Sequence, residues 1–213
     1  MTWTVVVPVK DLDRAKTRLD LGALGAPPVA RSDLALAFAL DTLDAVLAAR
    51  RVGALVVVTH EPRLLAELTA PRGRQGVRVV PDPGGGLDAA LSAGVDAAGD
   101  GPVAVLLGDL PALRPADLDA ALDLAGELAL AVVPDAQGTG TTLLTARSAA
   151  MLVPRFGPGS AAAHEAAGHV RLESVAAGLR QDVDSSDDLV RAAALGVGAA
   201  TARVLGARRS QTA

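Results

Sequence analysis

Short apolar runs recur along the chain, separated by stretches in which apolar residues fall at the spacing of one helix face. Residues 3–9 (WTVVVPV), 54–59 (ALVVVT), 76–80 (GVRVV) and 103–107 (VAVLL) are apolar or nearly so, the pattern of strands covered on both faces. Between them, Leu36, Leu40, Leu43 and Leu47 predict a helix over 32–50, with Ser32 able to cap its start. A short helix is expected after Pro62, another over 87–98 behind a run of glycines, and another over 115–127 with Pro115 near its first turn. Strands alternating with helices predict a parallel sheet with helices on both faces. The later part is less regular. Residues 129–133 and 141–145 read as strands around a Gly-rich turn, 160–167 as a short helix and 171–176 as an edge strand. The last helix opens after Asp184, with Ser185 as cap and Asp188 three residues on. No linker or repeat interrupts this order, so a single domain is expected over 1–213, its tail fraying from about Ala207.

Composition narrows the picture. A chain of 213 residues, 50% of them hydrophobic, suits one α/β domain with a sizeable core. A net charge of −4 argues against a general basic surface for nucleic acid. Without cysteine there is no disulfide, thiolate nucleophile or Cys-based zinc site. The first strand opens without a basic leader, and no uninterrupted apolar stretch is long enough to span a bilayer. The expectation is a cytoplasmic protein that does not engage membranes. Lys10 and Lys16 are the only lysines among 20 basic residues, and both lie just after the first strand. Either a compact point charge is favoured there over the planar fork of arginine, or chance has left both lysines in this stretch.

Ligands of open α/β sheets sit at the carboxyl ends of strands, and four motifs fall there. Lys10, Arg14, Lys16 and Arg18 follow the first strand and make a cationic loop suited to a polyphosphate, or alternatively a solvated turn. In LLGDLPAL (106–113), Asp109 ends an apolar strand, placed either to hold Mg²⁺ or to form a turn. In QDVDSSDDL (181–189), Asp182 and Asp184 would share a side of extended backbone, whereas Asp187 and Asp188 suit the first turn of a helix. GTGTT (138–142) and RFGPGSAAAHE (155–165) offer hydroxyls, a flexible turn and a helix start with Arg155 beside it, a possible anion site. PDPGGGL (81–87) fits no dinucleotide fingerprint, and no P-loop is present. His60, His164 and His169 lack metal-ligand spacing and read as surface or helix-face residues.

A cationic loop, an acidic metal site and an anion site, without an evident general base, fit transfer of a nucleotidyl group to a phosphate. A phosphate monoester has its second pKa at about 6 and is already nucleophilic at neutral pH. Catalysis then reduces to aligning two anions and neutralising charge as pyrophosphate leaves. The contrasting reading is a non-catalytic nucleotide-binding module.

VPVKDLDRAKTRL, GDLPAL, GTGTT, RFGPGS and LRQDVDSSDDL occur here in the order and approximate spacing found in the guanylyltransferases of coenzyme F420 biosynthesis. The chain resembles that family from Val5 to about Arg203. The resemblance implies an α/β nucleotidyltransferase fold of the glycosyltransferase-A type, with a mixed, mostly parallel sheet flanked by helices. It also implies GTP as co-substrate, Mg²⁺, and a phosphorylated three-carbon acid: phosphoenolpyruvate, or alternatively 2-phospho-L-lactate or 3-phosphoglycerate. A downstream F420 transferase or ligase would take the product. By the same resemblance Asp109, Asp182 and Asp184 would hold metal, and Lys10, Arg14, Lys16 and Arg18 would meet the triphosphate. Lys16, Arg18 and Asp109 are thereby the catalytic candidates. Thr141, Gly157, Ser160 and Arg155 would bind the acid, and Gly86, Leu87 and Asp88 the nucleoside. Members often carry Asn in that last segment, and Asp88 can accept hydrogen bonds but cannot donate them as an amide does.

Overall fold

In the computed structural model, which describes residues 1–10, 12, 31–70, 74 and 76–206, the first apolar run becomes β1 (Trp3–Pro8), an interior strand. On one side it pairs in parallel with β2 (Val52–Val58), which pairs in parallel with β3 (Val77–Val80). On its other side lies β4 (Val103–Leu106), also parallel. Beyond β4 the sheet changes direction. β6 (Thr141–Ala146) runs antiparallel to both β4 and β5 (Leu130–Pro134), and β7 (Val170–Arg171) adds to β5 in parallel. The order β3-β2-β1-β4-β6-β5-β7 is the mixed, mostly parallel sheet expected.

Alternation along β1 divides the core. Val5 and Val7 pack with Leu43 of α1 (Arg31–Ala48), Leu64 of α2 (Pro62–Thr69) and Leu118 and Leu122 of α4 (Pro115–Gly126). Val6 faces the other way, toward Ala90, Leu91 and Val95 of α3 (Leu87–Ala98). Helix α3 lies so close to the sheet that a side chain at Gly94 would run into Val6 and Val58. A third cluster joins Leu34 and Phe38 of α1 to Val183 and to Leu189 and Ala192 of α7 (Ser186–Leu195). This cluster brings the C-terminal part of the chain back over the site.

Two expectations are corrected. The edge strand is only Val170–Arg171, and not 171–176, because pairing to β5 is confined to Ala131 and Val132. A one-turn helix, α6 (Ala177–Arg180), fills the segment that follows. The single final helix is instead two, α7 and α8 (Ala199–Gly206), broken at Gly196, whose φ of 92° leaves the helical region. Helix α5 (Ser160–Ala166) lies within the range expected for it. The tail from Ala207 lies outside the described residues. Among the described residues, no single helix is long and apolar enough to cross a membrane.

Candidate active site

Beyond β4 the chain leaves the sheet at its carboxyl end through Leu107, Gly108 and Asp109. Gly108 is required by space: a Cβ there would stand 3.0 Å from the Pro8 carbonyl oxygen and 3.2 Å from Val9. The Asp109 carbonyl accepts a hydrogen bond of 3.2 Å from the Val183 N–H. This bond fixes the acidic segment. Val183 is buried, while Asp182 is half-buried and Asp184 exposed. Alternation in extended backbone turns both carboxylates away from the core, on the side opposite Val183. Asp109, Asp182 and Asp184 all line one cavity of about 320 Å³, together with Pro8, Val9, Lys10 and Leu12.

The neighbouring acidic residues do different work. Ser185 caps α7 by accepting from the Asp188 N–H, and the Asp188 carboxylate returns to the Ser185 N–H at 2.8 Å. Burial raises the Asp188 pKa. Bonds from the Ser185 hydroxyl, the Arg191 guanidinium and the N–H groups of Ser185 and Asp184 outweigh burial and hold it below the usual carboxylate range.

On the basic side, exposed Lys10 lines the same cavity. Arg14, Lys16 and Arg18 lie outside the described residues. Buried Leu12 donates its N–H to Glu61 Oε2 at 3.1 Å, while Glu61 Oε1 accepts from the Arg63 N–H and so caps α2. Sequence reasoning missed Glu61. Its signal is an acidic residue directly before a proline that opens a helix.

A second cavity, of about 430 Å³, is lined by Asp135, Thr139, Thr141, Phe156, Gly157 and Ser160, and by Asp182, Asp184, Leu87 and Leu107. These last four line the first cavity as well, so the two hollows meet at the acidic pair. The β5–β6 turn is held by Asp135, whose carboxylate accepts from the N–H groups of Thr139 at 2.9 Å and Gly140 at 2.7 Å. Arg180 of α6 donates to the Asp135 carbonyl at 2.8 Å and steadies the same turn.

Thr141 and Ser160, from β6 and the start of α5, meet at 3.0 Å through their hydroxyls, and both are buried. The backbone anion site expected at 157–160 is partly spent. The Ser160 N–H goes to the Gly157 carbonyl and the Ala161 N–H to the Thr139 carbonyl, each at 3.1 Å. The hydroxyls therefore carry more of any anion contact. Gly157 lines the cavity, whereas exposed Arg155 is not part of either lining. Arg155 enters through its backbone N–H, which donates to His164 Nε2 at 3.0 Å. Leu87 borders both cavities; Gly86 and Asp88 border neither. Asp88 accepts instead from the Phe156 N–H at 2.9 Å, tying α3 to the 155–160 turn.

Two of the three histidines depart from a surface reading. His60 is exposed, but His164 and His169 are buried. Burial first, and then the neighbouring His169 and Arg155, depress the His164 pKa to about 4, against an opposing pull from Asp88. Its Nδ1 lies 3.0 Å from Thr141 Oγ1. Nothing local betrays this role, since the partner lies 23 residues away in sequence.

Carboxylate oxygens suit a hard cation such as Mg²⁺. Among the described residues, no three His, Cys, Asp or Glu side chains are grouped closely enough to hold an ion by themselves. Mg²⁺ commonly keeps several waters and takes one or two carboxylates plus substrate phosphates. Asp109, Asp182 and Asp184 are the carboxylates that border the first cavity, and any cation there would need further oxygens from a bound substrate.

The fold is shared with a nucleotidyl transferase from Methanothermobacter thermautotrophicus, at a TM-score of 0.63 and 23% identity over 89% of this chain and 95% of that one. Closer in sequence is a phosphoenolpyruvate guanylyltransferase from Geodermatophilus obscurus, 50% identical over 96% of this chain and 94% of the relative. Another protein of that name, from Streptomyces coelicolor, is 50% identical over 96% of each chain. The family model described as guanylyl transferase, CofC like, matches residues 3–203. With its acidic pair set between a lysine-lined hollow and a hydroxyl-lined one, the chain belongs to the CofC-like guanylyl transferase family.

Proposed function

We propose that this protein joins GMP from GTP to phosphoenolpyruvate, releasing pyrophosphate and giving enolpyruvoyl-2-diphospho-5'-guanosine. In this reading the product passes to a downstream transferase that assembles coenzyme F420. The observation that carries the proposal is the Val183–Asp109 bond, which sets Asp182 and Asp184 at the seam between the two cavities. The names of the closely similar relatives favour phosphoenolpyruvate as the acid.

The chemistry asks little of a base. The phosphate of the acid is ionised near neutral pH. Its oxygen attacks the α-phosphorus of GTP; one P–O bond forms, the α–β bridging bond breaks, and its electrons leave on pyrophosphate. Lys10, with Arg14, Lys16 and Arg18, holds the triphosphate and meets the charge that develops on the leaving group. Thr141, Ser160 and the Gly157 turn hold the acid, so that its phosphate faces the α-phosphorus across the seam. Leu87 and its neighbours Gly86 and Asp88 flank the nucleoside. When bound at Asp109, Asp182 and Asp184, Mg²⁺ would neutralise phosphate charge and help orient both reactants.

The test is pyrophosphate release with GTP and Mg²⁺, offering phosphoenolpyruvate, 2-phospho-L-lactate and 3-phosphoglycerate separately and trapping the product with the downstream transferase. Release with phosphoenolpyruvate is expected, and Lys16→Ala should lower turnover by orders of magnitude in a folded protein. GTP binding without pyrophosphate release for any acid would reduce the protein to a binding module.

A further inference from the structure

Two fixed atoms settle where the protons of the second cavity lie. The Arg155 N–H can only donate, and it points at His164 Nε2. That nitrogen is therefore the acceptor, and neutral His164 carries its proton on Nδ1. Nδ1 then donates to Thr141 Oγ1, which also meets the Ser160 hydroxyl. The imidazole N–H, the Thr141 hydroxyl and the Ser160 hydroxyl bring three hydrogens to two internal links. One hydroxyl hydrogen is left over, whichever way the Thr–Ser bond runs. With the opposite tautomer, Thr141 would donate to Nδ1 and Ser160 to Thr141. Both hydroxyl hydrogens would then be spent inward, and only lone pairs would be left for the cavity.

We infer that His164 is a positioning residue which, locked into one tautomer by the Arg155 N–H, makes the Thr141–Ser160 pair a hydrogen-bond donor toward an anionic oxygen of the acid substrate. His164 is fully buried and reaches the reactants only through Thr141. The surroundings hold it still: Phe156 packs edge-on at 5.2 Å and His169 at 5.6 Å. The His169 Nδ1 donates to the His164 carbonyl at 3.1 Å. Arg155 thus acts through its backbone, which explains why a residue beside the pocket serves it with its side chain turned out.

This inference rests on the reading of the second cavity as the acid site, and the experiment separates the two. KM for phosphoenolpyruvate and for GTP is measured in His164→Leu, His164→Asn, Thr141→Val and the double variant His164→Leu/Thr141→Val. The Asn side chain can place an amide N–H near the position of Nδ1 and so keeps a donor to Thr141. His164→Leu should raise KM for the acid roughly ten- to hundredfold, the scale of a hydrogen bond to a charged group, with KM for GTP within about twofold. His164→Asn should recover most of that loss. The double variant should be no worse than Thr141→Val, because both changes break one relay. If Thr141→Val leaves KM for the acid unchanged, the site reading fails and the inference falls with it. If Thr141→Val raises it but the His164 effect is absent, additive, or equal for GTP, the site stands and the relay is wrong. Should His164→Leu fail to fold, His164→Asn against Thr141→Val still decides, since a relay requires near-normal KM in the first and a raised KM in the second.

Discussion

The same buried imidazole leaves a signature on stability. An unfolded chain titrates histidine near 6.5, whereas His164 in the fold titrates at about 4, chiefly because burial disfavours its charged form. Between those values the unfolded state binds a proton that the folded state refuses. Stability therefore rises with pH through the window and is lost as pH falls from about 6.5 toward 4. The difference amounts to roughly 3 kcal/mol, an order-of-magnitude figure. His169 is lowered for the same first reason and acts in the same direction. Urea melts at pH 7.5, 6 and 5 should show a falling midpoint in the wild type and a shallower fall in His164→Leu. A wild-type midpoint that does not move between pH 7.5 and 5 would contradict a neutral buried His164.

At the level of elements, Leu12, just past β1, is held by a side chain from α2's start. Glu61 caps α2 and at the same time accepts the N–H of buried Leu12, whose side chain borders the Lys10 cavity. Glu61→Ala should cost about 1–3 kcal/mol, the usual penalty for stranding a buried N–H, seen as a lower denaturation midpoint. Its KM for GTP should rise several-fold with KM for the acid little changed, and Glu61→Gln, which keeps an acceptor, should lie near the wild type. Equal rises for both substrates would mean general loosening. The main strands and long helices were legible because continuous apolar runs and leucines at helical spacing leave few alternatives. Helix α6 and the true extent of β7 were not. Four- and two-residue elements are too short to form on local preference, and here neighbours order them: Arg180 reaches the β5–β6 turn, and β7 follows β5. That Asp109, Asp182 and Asp184 share one cavity was readable, because these carboxylates follow a strand or share one side of extended chain. The relay of His164 was not, because hydrogen bonds across the fold leave no periodic mark on an alanine-rich helix.

Taken whole, the molecule must return its last third to the sheet to place Asp182 and Asp184 beside Asp109. Buried Asp41 of α1 is the far anchor of that return. Its two carboxylate oxygens accept the N–H groups of Ala200 and Thr201 at the start of α8, each at 2.8 Å. Negative charge there also suits the helix dipole. Gly198, just before α8, donates its N–H to the Pro111 carbonyl at 2.9 Å, and a side chain at this position would strike Asp41. The acidic segment is thus pinned near its start by the Asp109 carbonyl, in its middle by the cluster of Leu34, Phe38 and Leu189, and beyond it by Asp41. Asp41→Ala removes the last pin and strands two N–H groups, at a cost of about 3 kcal/mol. For a chain of this size that lowers Tm by roughly 6–12 °C. If the anchor also sets the carboxylates, the Mg²⁺ concentration for half-maximal pyrophosphate release should rise well below the melting temperature, while KM for the acid stays near normal. A lowered Tm with unchanged Mg²⁺ dependence would mean that the Val183–Asp109 bond alone places the acidic pair, and that α8 stabilises the fold without tuning the site.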